Sequence, residues 1–224
     1  LETAPEIFLT QDGSHSVVAH RFGVSYHSKY GAVRESMHVF IGAGLLPLLQ
    51  PGGQLSVLEA GLGTGLNAFM AYLEGEKSLA EITYEAIEAF PIEPAFAVEL
   101  NFPEVLQATG QKEIFHAMHQ LPWGQLFPLG PRFKFRKILE RFELYRPEKF
   151  FDVVFFDAFA PGAQPELWQT EVLAIFHRAL RSGGVLVTYC AKGEVKRRLK
   201  ALGFQVETLP GPPGKREMIR AVKM

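Results

Sequence analysis

The stretch that most constrains what this chain can fold into is Val57-Leu58-Glu59-Ala60-Gly61-Leu62-Gly63-Thr64-Gly65-Leu66-Asn67. A short apolar run ends in an acid, three glycines follow at alternate positions, and a helical pattern then opens. This order predicts a buried strand that delivers the chain into a tight turn whose backbone lies against a ligand. Glycine meets both demands, because it has no Cβ and takes positive φ readily. The spacing also discriminates between ligands. Dinucleotide turns follow G-x-G-x-x-G, the third glycine admitting close helix–strand packing. Here Leu66 stands where that pattern needs its third glycine, and the third glycine is Gly65.

Two further strands agree with a nucleoside site. Residues 81–90 alternate and read as a second strand, with Glu88 near its end. Glu88 follows Gly65 at roughly the 20-residue spacing at which a strand-end acid reaches ribose hydroxyls in a doubly wound sheet. Phe151-Asp152-Val153-Val154-Phe155-Phe156 is dense enough in apolar residues for a central parallel strand covered on both faces. It runs into Asp157-Ala158-Phe159-Ala160-Pro161. Ligands bind at the carboxyl ends of strands in open α/β sheets, which puts Asp157 beside whatever the glycine turn holds.

The rest of the chain supplies strand and helix in alternation. Short alternating runs over residues 7–26, split by Asp12-Gly13, predict a small β-ribbon, and Tyr26–Gly31 reads as a polar, aromatic loop. Residues 32–50 carry a helical stripe with a break at Pro47, and Glu35 and His38 fall one turn apart on it. Further helices are expected over 66–73, 94–108, 165–180 and 193–202, and further strands over 55–59, 185–190, 204–209 and 218–222. Residues 109–150 carry little pattern, apart from Phe133–Ile138, which reads as a half-buried edge strand. The expected fold is α/β: a mostly parallel, doubly wound sheet with an antiparallel C-terminal pair. Residues 1–30 would be a β-ribbon extension and 31–224 the main domain.

Composition narrows the function classes. With 47% hydrophobic and 21% charged residues, 224 residues suit one large α/β domain, alone or with a small appendage. The single Cys190 excludes an intramolecular disulfide, and no Cys/His spacing points to a metal. No run is long and apolar enough to span a membrane and no leader is evident, so the cytoplasm is the expected location. Charge is uneven although the net is −1. Residues 1–145 carry 10 Lys+Arg against 16 Asp+Glu, whereas residues 146–224 carry 13 against 8. A basic C-terminal third suits a phosphate backbone, although charge alone favours a solvated helix face.

The pattern E-x-G-x-G-x-G at Glu59–Gly65 resembles the first motif of class I S-adenosylmethionine-dependent methyltransferases. Asp157-x-x-x-Pro161 resembles the D-P-P-Y-like motif of amino-group methyltransferases. Six ordered segments, YGAVRESMHVF, LEAGLGTGLNAF, EAFPI, FFDAFAPGAQPELW, TYCAKGEVKRRLKALGF and GPPGKREM, are together similar to the MnmC-like (MnmD) family of tRNA 5-aminomethyl-2-thiouridine methyltransferases. The resemblance implies a Rossmann-like class I fold and transfer of a methyl group from S-adenosyl-L-methionine to the aminomethyl nitrogen of the wobble uridine. It assigns Glu59, Gly61, Leu62, Gly63, Thr64, Gly65, Asn67, Glu88 and Phe90 to the donor, and Asp157 to catalysis. Phe159 and Pro161 would wall the uracil, with Tyr26, Glu35 and His38 closing the site. Lys192, Arg197, Lys215 and Arg216 would meet phosphates of the tRNA anticodon stem-loop. In some bacteria this domain is fused to a flavin-dependent oxidase that prepares the amine; 224 residues leave no room for one, so a functional link to a separate enzyme is expected. Residues 139–143 would lie near the adenine, with the residue that reads it left open. The alternatives are a methyl- or aminopropyl-transferase of the same fold acting on a small amine, and a non-catalytic RNA-binding module.

Overall fold

The structure, a computed structural model, describes residues 6–224. In chain order its elements are β1 (Glu6–Leu9), β2 (His15–Ala19), β3 (Val24–Ser25), α1 (Ala32–Ser36), a π-helical segment (Met37–Leu45), β4 (Gln54–Ala60), α2 (Leu66–Ser78), β5 (Glu81–Glu88), α3 (Pro94–Ala97), α4 (Phe102–Val105), α5 (Lys112–Gln120), β6 (Leu126–Pro128), β7 (Phe133–Leu139), β8 (Phe151–Phe156), α6 (Thr170–Ala179), β9 (Leu180–Thr188), α7 (Gly193–Ala201), β10 (Phe204–Pro210) and β11 (Glu217–Lys223).

The main sheet has eight strands in the order β10-β11-β9-β8-β4-β5-β7-β6. β7, β5, β4, β8 and β9 are mutually parallel, while β11 is antiparallel to both β9 and β10, and β6 to β7. The chain builds β4, β5 and β7 outward in one direction and then returns to lay β8 and β9 on the other side of β4. This reversal opens a crevice between the carboxyl ends of β4 and β8. The alternation in β8 explains its apolar density. Val153 and Phe155 enter the core layer that contains α2, whereas Val154 and Phe156 enter the layer that contains α6 and α7.

The expected N-terminal ribbon is a separate antiparallel sheet, β1-β2-β3, whose first connection carries Asp12-Gly13. Its loop side chains reach the main domain. Asp12 Oδ2 accepts from Arg34 N at 2.9 Å and Ser14 Oγ from Ala32 N at 3.1 Å, so both satisfy donors at the start of α1. His15 N donates to Asn101 Oδ1 at 2.8 Å.

Three expected elements take another form. The helix expected over 32–50 is α-helical only to Ser36 and then widens into the π-helical segment, where Leu46 N donates to Ile41 O at 2.9 Å. The widened segment buries Val39, Phe40, Ile41 and Leu45 together, and it brings Gly44 so close to the sheet that a Cβ would stand 2.8 Å from Val187 Cγ2. The helix expected over 94–108 is instead two single turns, α3 and α4, with Pro94 and Pro103 in their first turns. Pro103 lacks the N–H that a continuous helix would use and clashes with the preceding turn. Phe133–Leu139 is not an edge strand, because three-residue β6 covers its outer side.

Gly44→Ala is therefore expected to destabilise the fold by about 1–3 kcal/mol, the usual range for overpacking a filled core. Urea unfolding should show a lowered midpoint with an unchanged slope.

Candidate active site

The glycine turn is shaped by contacts on three sides. Gly61 N donates to Ile87 O at 2.9 Å and Gly65 N to Leu62 O at 2.8 Å, with φ of +95° at Gly61, +50° at Gly63 and +74° at Gly65. A Cβ at Gly61 would stand 2.7 Å from Asp157 O, at Gly63 2.9 Å from Tyr26 Cδ1, and at Gly65 2.6 Å from His119 Nε2. Each glycine thus lets a different part of the chain close on the turn.

β8 places Asp157 against this turn, and Asp157 N donates to Ala60 O at 3.0 Å. The Asn67 amide, in the first turn of α2, bridges two acids: Nδ2 donates to Asp157 Oδ2 at 2.8 Å and to Glu59 Oε1 at 2.9 Å. Glu59 is fully buried, and burial reinforced by the charge of Asp157 drives its carboxyl well above the ordinary range. Asp157 is pushed up to about 7, chiefly by burial and then by Glu35, while the Asn67 hydrogen bond and Lys215 pull it back. Glu88 accepts from Gly63 N at 3.0 Å and Phe90 N at 2.8 Å; burial raises it and these amides oppose the rise.

Between them lies a cavity of about 790 Å³, within the range of small-molecule sites. Gly61, Leu62, Gly63, Thr64, Asn67, Glu88, Phe90, Asp157, Phe159, Tyr26 and Lys215 line it, together with Glu35. Other expected residues lie outside the lining. Glu59 is beneath the turn, Gly65 faces His119, and Pro161 and Arg216 do not reach the cavity. His38 also points elsewhere, its Nε2 hydrogen-bonding Pro210 O at 2.8 Å. Lys215, expected at phosphates, turns inward to pair with Glu35.

The cavity has contributors that the sequence did not single out. Phe22, on the turn after β2, packs tilted against Phe159 at 5.0 Å and edge-on to Phe90 at 5.6 Å, while Tyr26 lies 5.1 Å from Phe159. The Arg21 guanidinium lies 3.9 Å from the Phe90 ring centre, within cation–π distance. Arg141, Phe142 and Glu143 follow β7 and bring chemistry to the place expected near an adenine. Tyr189, just past the end of β9, donates from its hydroxyl to Ala158 O at 2.8 Å, and Trp168 Nε1 donates to Phe159 O at 2.7 Å, so both brace the loop that carries Asp157. The rule that ligands bind at strand carboxyl ends would have found Tyr189; nothing local marks Phe22.

Two buried histidines hold Thr64. His27 Nε2 and Thr64 Oγ1 share a hydrogen bond of 2.7 Å, and His119 Nε2 donates to Thr64 O at 3.2 Å. Burial pushes both imidazoles down to about 4, and they are neutral at working pH. Their role is to fix the turn.

Residues 134–224 match a family described as S-adenosyl-L-methionine-dependent methyltransferase. The chain is 30% identical, over 94% of its length and 34% of the relative's, to the tRNA 5-methylaminomethyl-2-thiouridine biosynthesis bifunctional protein MnmC of Aromatoleum aromaticum. It is 29% identical to the protein of the same name from Hydrogenovibrio crunogenus, over 86% of its length and 30% of the relative's. The chain spans about a third of the length of these curated relatives. Among solved structures, MNMC2 from Aquifex aeolicus matches with a TM-score of 0.77 and 25% identity over 99% of this chain and 71% of that one. Spermidine synthase from Thermotoga maritima shares the fold, with a TM-score of 0.59 and 15% identity over 97% of this chain and 68% of that one. The C-terminal part of the chain thus matches a family of S-adenosyl-L-methionine-dependent methyltransferases, its fold is that of MNMC2, and along nearly all of its length it is similar to part of the MnmC proteins.

Proposed function

We propose that this chain methylates the aminomethyl nitrogen of 5-aminomethyl-2-thiouridine at the wobble position of tRNA, giving 5-methylaminomethyl-2-thiouridine, with S-adenosyl-L-methionine as donor. The observation that carries this reading is the placement of Asp157, a carboxyl group held in the wall of a nucleoside-sized cavity, against the glycine turn and among aromatic rings. The curated relatives, named for biosynthesis of this modified uridine, support the substrate assignment. In this reading residues 31–224 are the methyltransferase domain and residues 1–30 an extension whose described part brings Phe22 and Tyr26 over the site.

The cavity residues fit the donor. Gly61 and Gly63 line the cavity with backbone that carries no side chain, and Glu88 stands at the strand end where a ribose would be bound. Asn67 Oδ1 is buried without a hydrogen-bond partner, as expected of an acceptor kept for a ligand. Leu62, Thr64 and Phe90 complete the donor side, and Arg141, Phe142 and Glu143 would surround the base. Glu59 and Gly65 act from beneath, by shaping the turn.

S-adenosyl-L-methionine, when bound, supplies an electrophilic methyl group on a sulfonium. The remaining task is to present a neutral amine in line with it, and positioning of this kind is worth roughly 7–11 kcal/mol when the geometry is ideal. The Asp157 carboxylate accepts a hydrogen bond from the amine N–H and aims the nitrogen lone pair away from itself. As the N–C bond forms and the C–S bond breaks, the proton leaving nitrogen passes to Asp157, whose value near 7 suits proton exchange at neutral pH. Phe159, Tyr26 and Phe22 give the splayed base faces to stack on, as single-stranded RNA recognition requires. Pro161 shapes the same loop from outside the cavity. Lys192, Arg197 and Arg216 are exposed and form no ion pair among the described residues, and they are assigned to tRNA phosphates. The reading places the chain in the cytoplasm, working after the enzyme that supplies the aminomethyl group; among the described residues no helix is long and apolar enough to cross a membrane.

Asp157→Asn is expected to slow methyl transfer to hypomodified tRNA by about 100-fold or more, the range for loss of a general base. Calorimetry should find its affinity for S-adenosyl-L-homocysteine little changed. Wild-type kcat/KM should show an acid limb centred near 7, because the carboxylate form is required and burial delays its ionisation; the limb should vanish from the residual activity of the variant. Unimpaired transfer by Asp157→Asn would remove this residue from the mechanism. Glu88→Ala should weaken S-adenosyl-L-homocysteine binding by about tenfold or more, equivalent to about 1.4 kcal/mol. Undiminished binding would place the ribose elsewhere.

A further inference from the structure

We infer that Lys215 and Glu35 are positioning residues that set the charge felt by Asp157, and that the loop between β10 and β11 serves the active site from within. This inference rests on the proposed function in one respect only, that Asp157 is the group that handles the amine.

The loop Gly211-Pro212-Pro213-Gly214-Lys215-Arg216 is closed by Gly211 N donating to Arg216 O at 3.1 Å and Lys215 N to Pro212 O at 2.9 Å. Two prolines restrict its conformers. It docks on the segment around α1 at three points. Gly214, at φ +84°, lies flat on Tyr30, where a Cβ would come within 2.2 Å of the ring. His38 Nε2 meets Pro210 O at the end of β10. Lys215 is thereby turned inward, its Nζ paired with Glu35 Oε1 and 4.1 Å from the Tyr189 ring centre. The other Glu35 oxygen accepts from Ser28 N at 3.0 Å. Tyr189 in turn holds Ala158 O, beside Asp157. The pair is therefore fixed to the same wall as the carboxyl it influences, and only Arg216 remains exposed on this loop for a phosphate.

The charged groups that act on Asp157 are Glu35 and Lys215, whereas Glu88, on the same cavity, is engaged by the backbone amides of Gly63 and Phe90. Glu59, reached through Asn67, is held well above the ordinary carboxyl range by burial, and the hydroxyls of Tyr84 and Tyr189 and the Cys190 thiol are pushed upward and stay neutral. His27, which feels Glu35 and Lys215, is neutral as well. Glu35 disfavours the ionised form of Asp157 and Lys215 favours it. A pair with both signs in fixed places makes a sharp prediction, since removing either member must move Asp157 in opposite directions.

The chain has only three aspartates, Asp12, Asp152 and Asp157, so carboxyl-labelled aspartate followed by carbon-13 NMR resolves the one of interest, with Asp157→Asn as its assignment. In Glu35→Gln the titration midpoint of Asp157 should fall, and in Lys215→Met it should rise, each by about one unit, the scale of a nearby charge. The double variant should lie between the two. Unchanged affinity for S-adenosyl-L-homocysteine would confirm that each variant keeps its site. Shifts of the same sign, or none, in variants that still bind would overturn the inference. The acid limb of tRNA methylation should move as the midpoint does, down in Glu35→Gln and up in Lys215→Met. If the wild type transferred no methyl group to the aminomethyl tRNA, the proposed function would fall, and the carboxyl titration would still decide the pair.

Discussion

The close approach of Gly61 to the backbone of Asp157 is the contact on which the others depend. Adjacent parallel strands end together, with Ala60 opposite Phe156, so the residues that follow are forced side by side. One of the two must lack a side chain, and with a carbonyl 2.7 Å from where its Cβ would stand, that residue is Gly61. From this contact the donor turn and the acceptor carboxyl acquire a fixed separation. Asn67 then ties them a second time, because its amide donates to Asp157 and to Glu59 beneath the turn.

Electrostatics follow from the same crowding. Three acids, Glu59, Glu88 and Asp157, come from three neighbouring strand ends into a space largely closed to water. Such a cluster is tolerable only if some members stay neutral or find donors. Glu59 is pushed upward by burial and accepts from Asn67, Glu88 finds two backbone amides, and Asp157 is left near its midpoint at neutral pH. A carboxyl poised in that way is suited to exchanging a proton, whereas one in full solvent would be ionised throughout. Around it α1 brings Glu35, the loop between β10 and β11 brings Lys215, and the segments after β2 and β3 bring Phe22 and Tyr26 to a sheet that would otherwise present an open crevice.

What was legible in the sequence was local. The glycine turn, Glu88 and Asp157 each sit at the junction of an apolar strand and a loop, where pattern and position coincide, and all three reach one cavity. What was illegible depended on distant partners. Lys215 reads as a basic residue among others, and only its docking beside Glu35, far away in the chain, turns it inward. Lys196, Arg198 and Arg220 likewise pair with Glu217, Glu194 and Glu207, so the basic C-terminal third offers fewer exposed cations than its composition suggested. Phe22 belongs to a short turn with no periodicity to mark it. The single turns over 94–105 stand where one helix is expected, because Pro103 cannot continue a helix out of the turn before it.

The central claim is that the glycine turn presents a methyl donor to an amine on RNA held by Asp157. Mass spectrometry of nucleosides from tRNA bearing 5-aminomethyl-2-thiouridine, after incubation with the protein and S-adenosyl-L-methionine, tests it most directly. The account predicts that the aminomethyl nucleoside disappears and that its methylaminomethyl counterpart, heavier by one methyl group in place of hydrogen, takes its place. An unchanged nucleoside, with donor bound and small amines methylated instead, would contradict it.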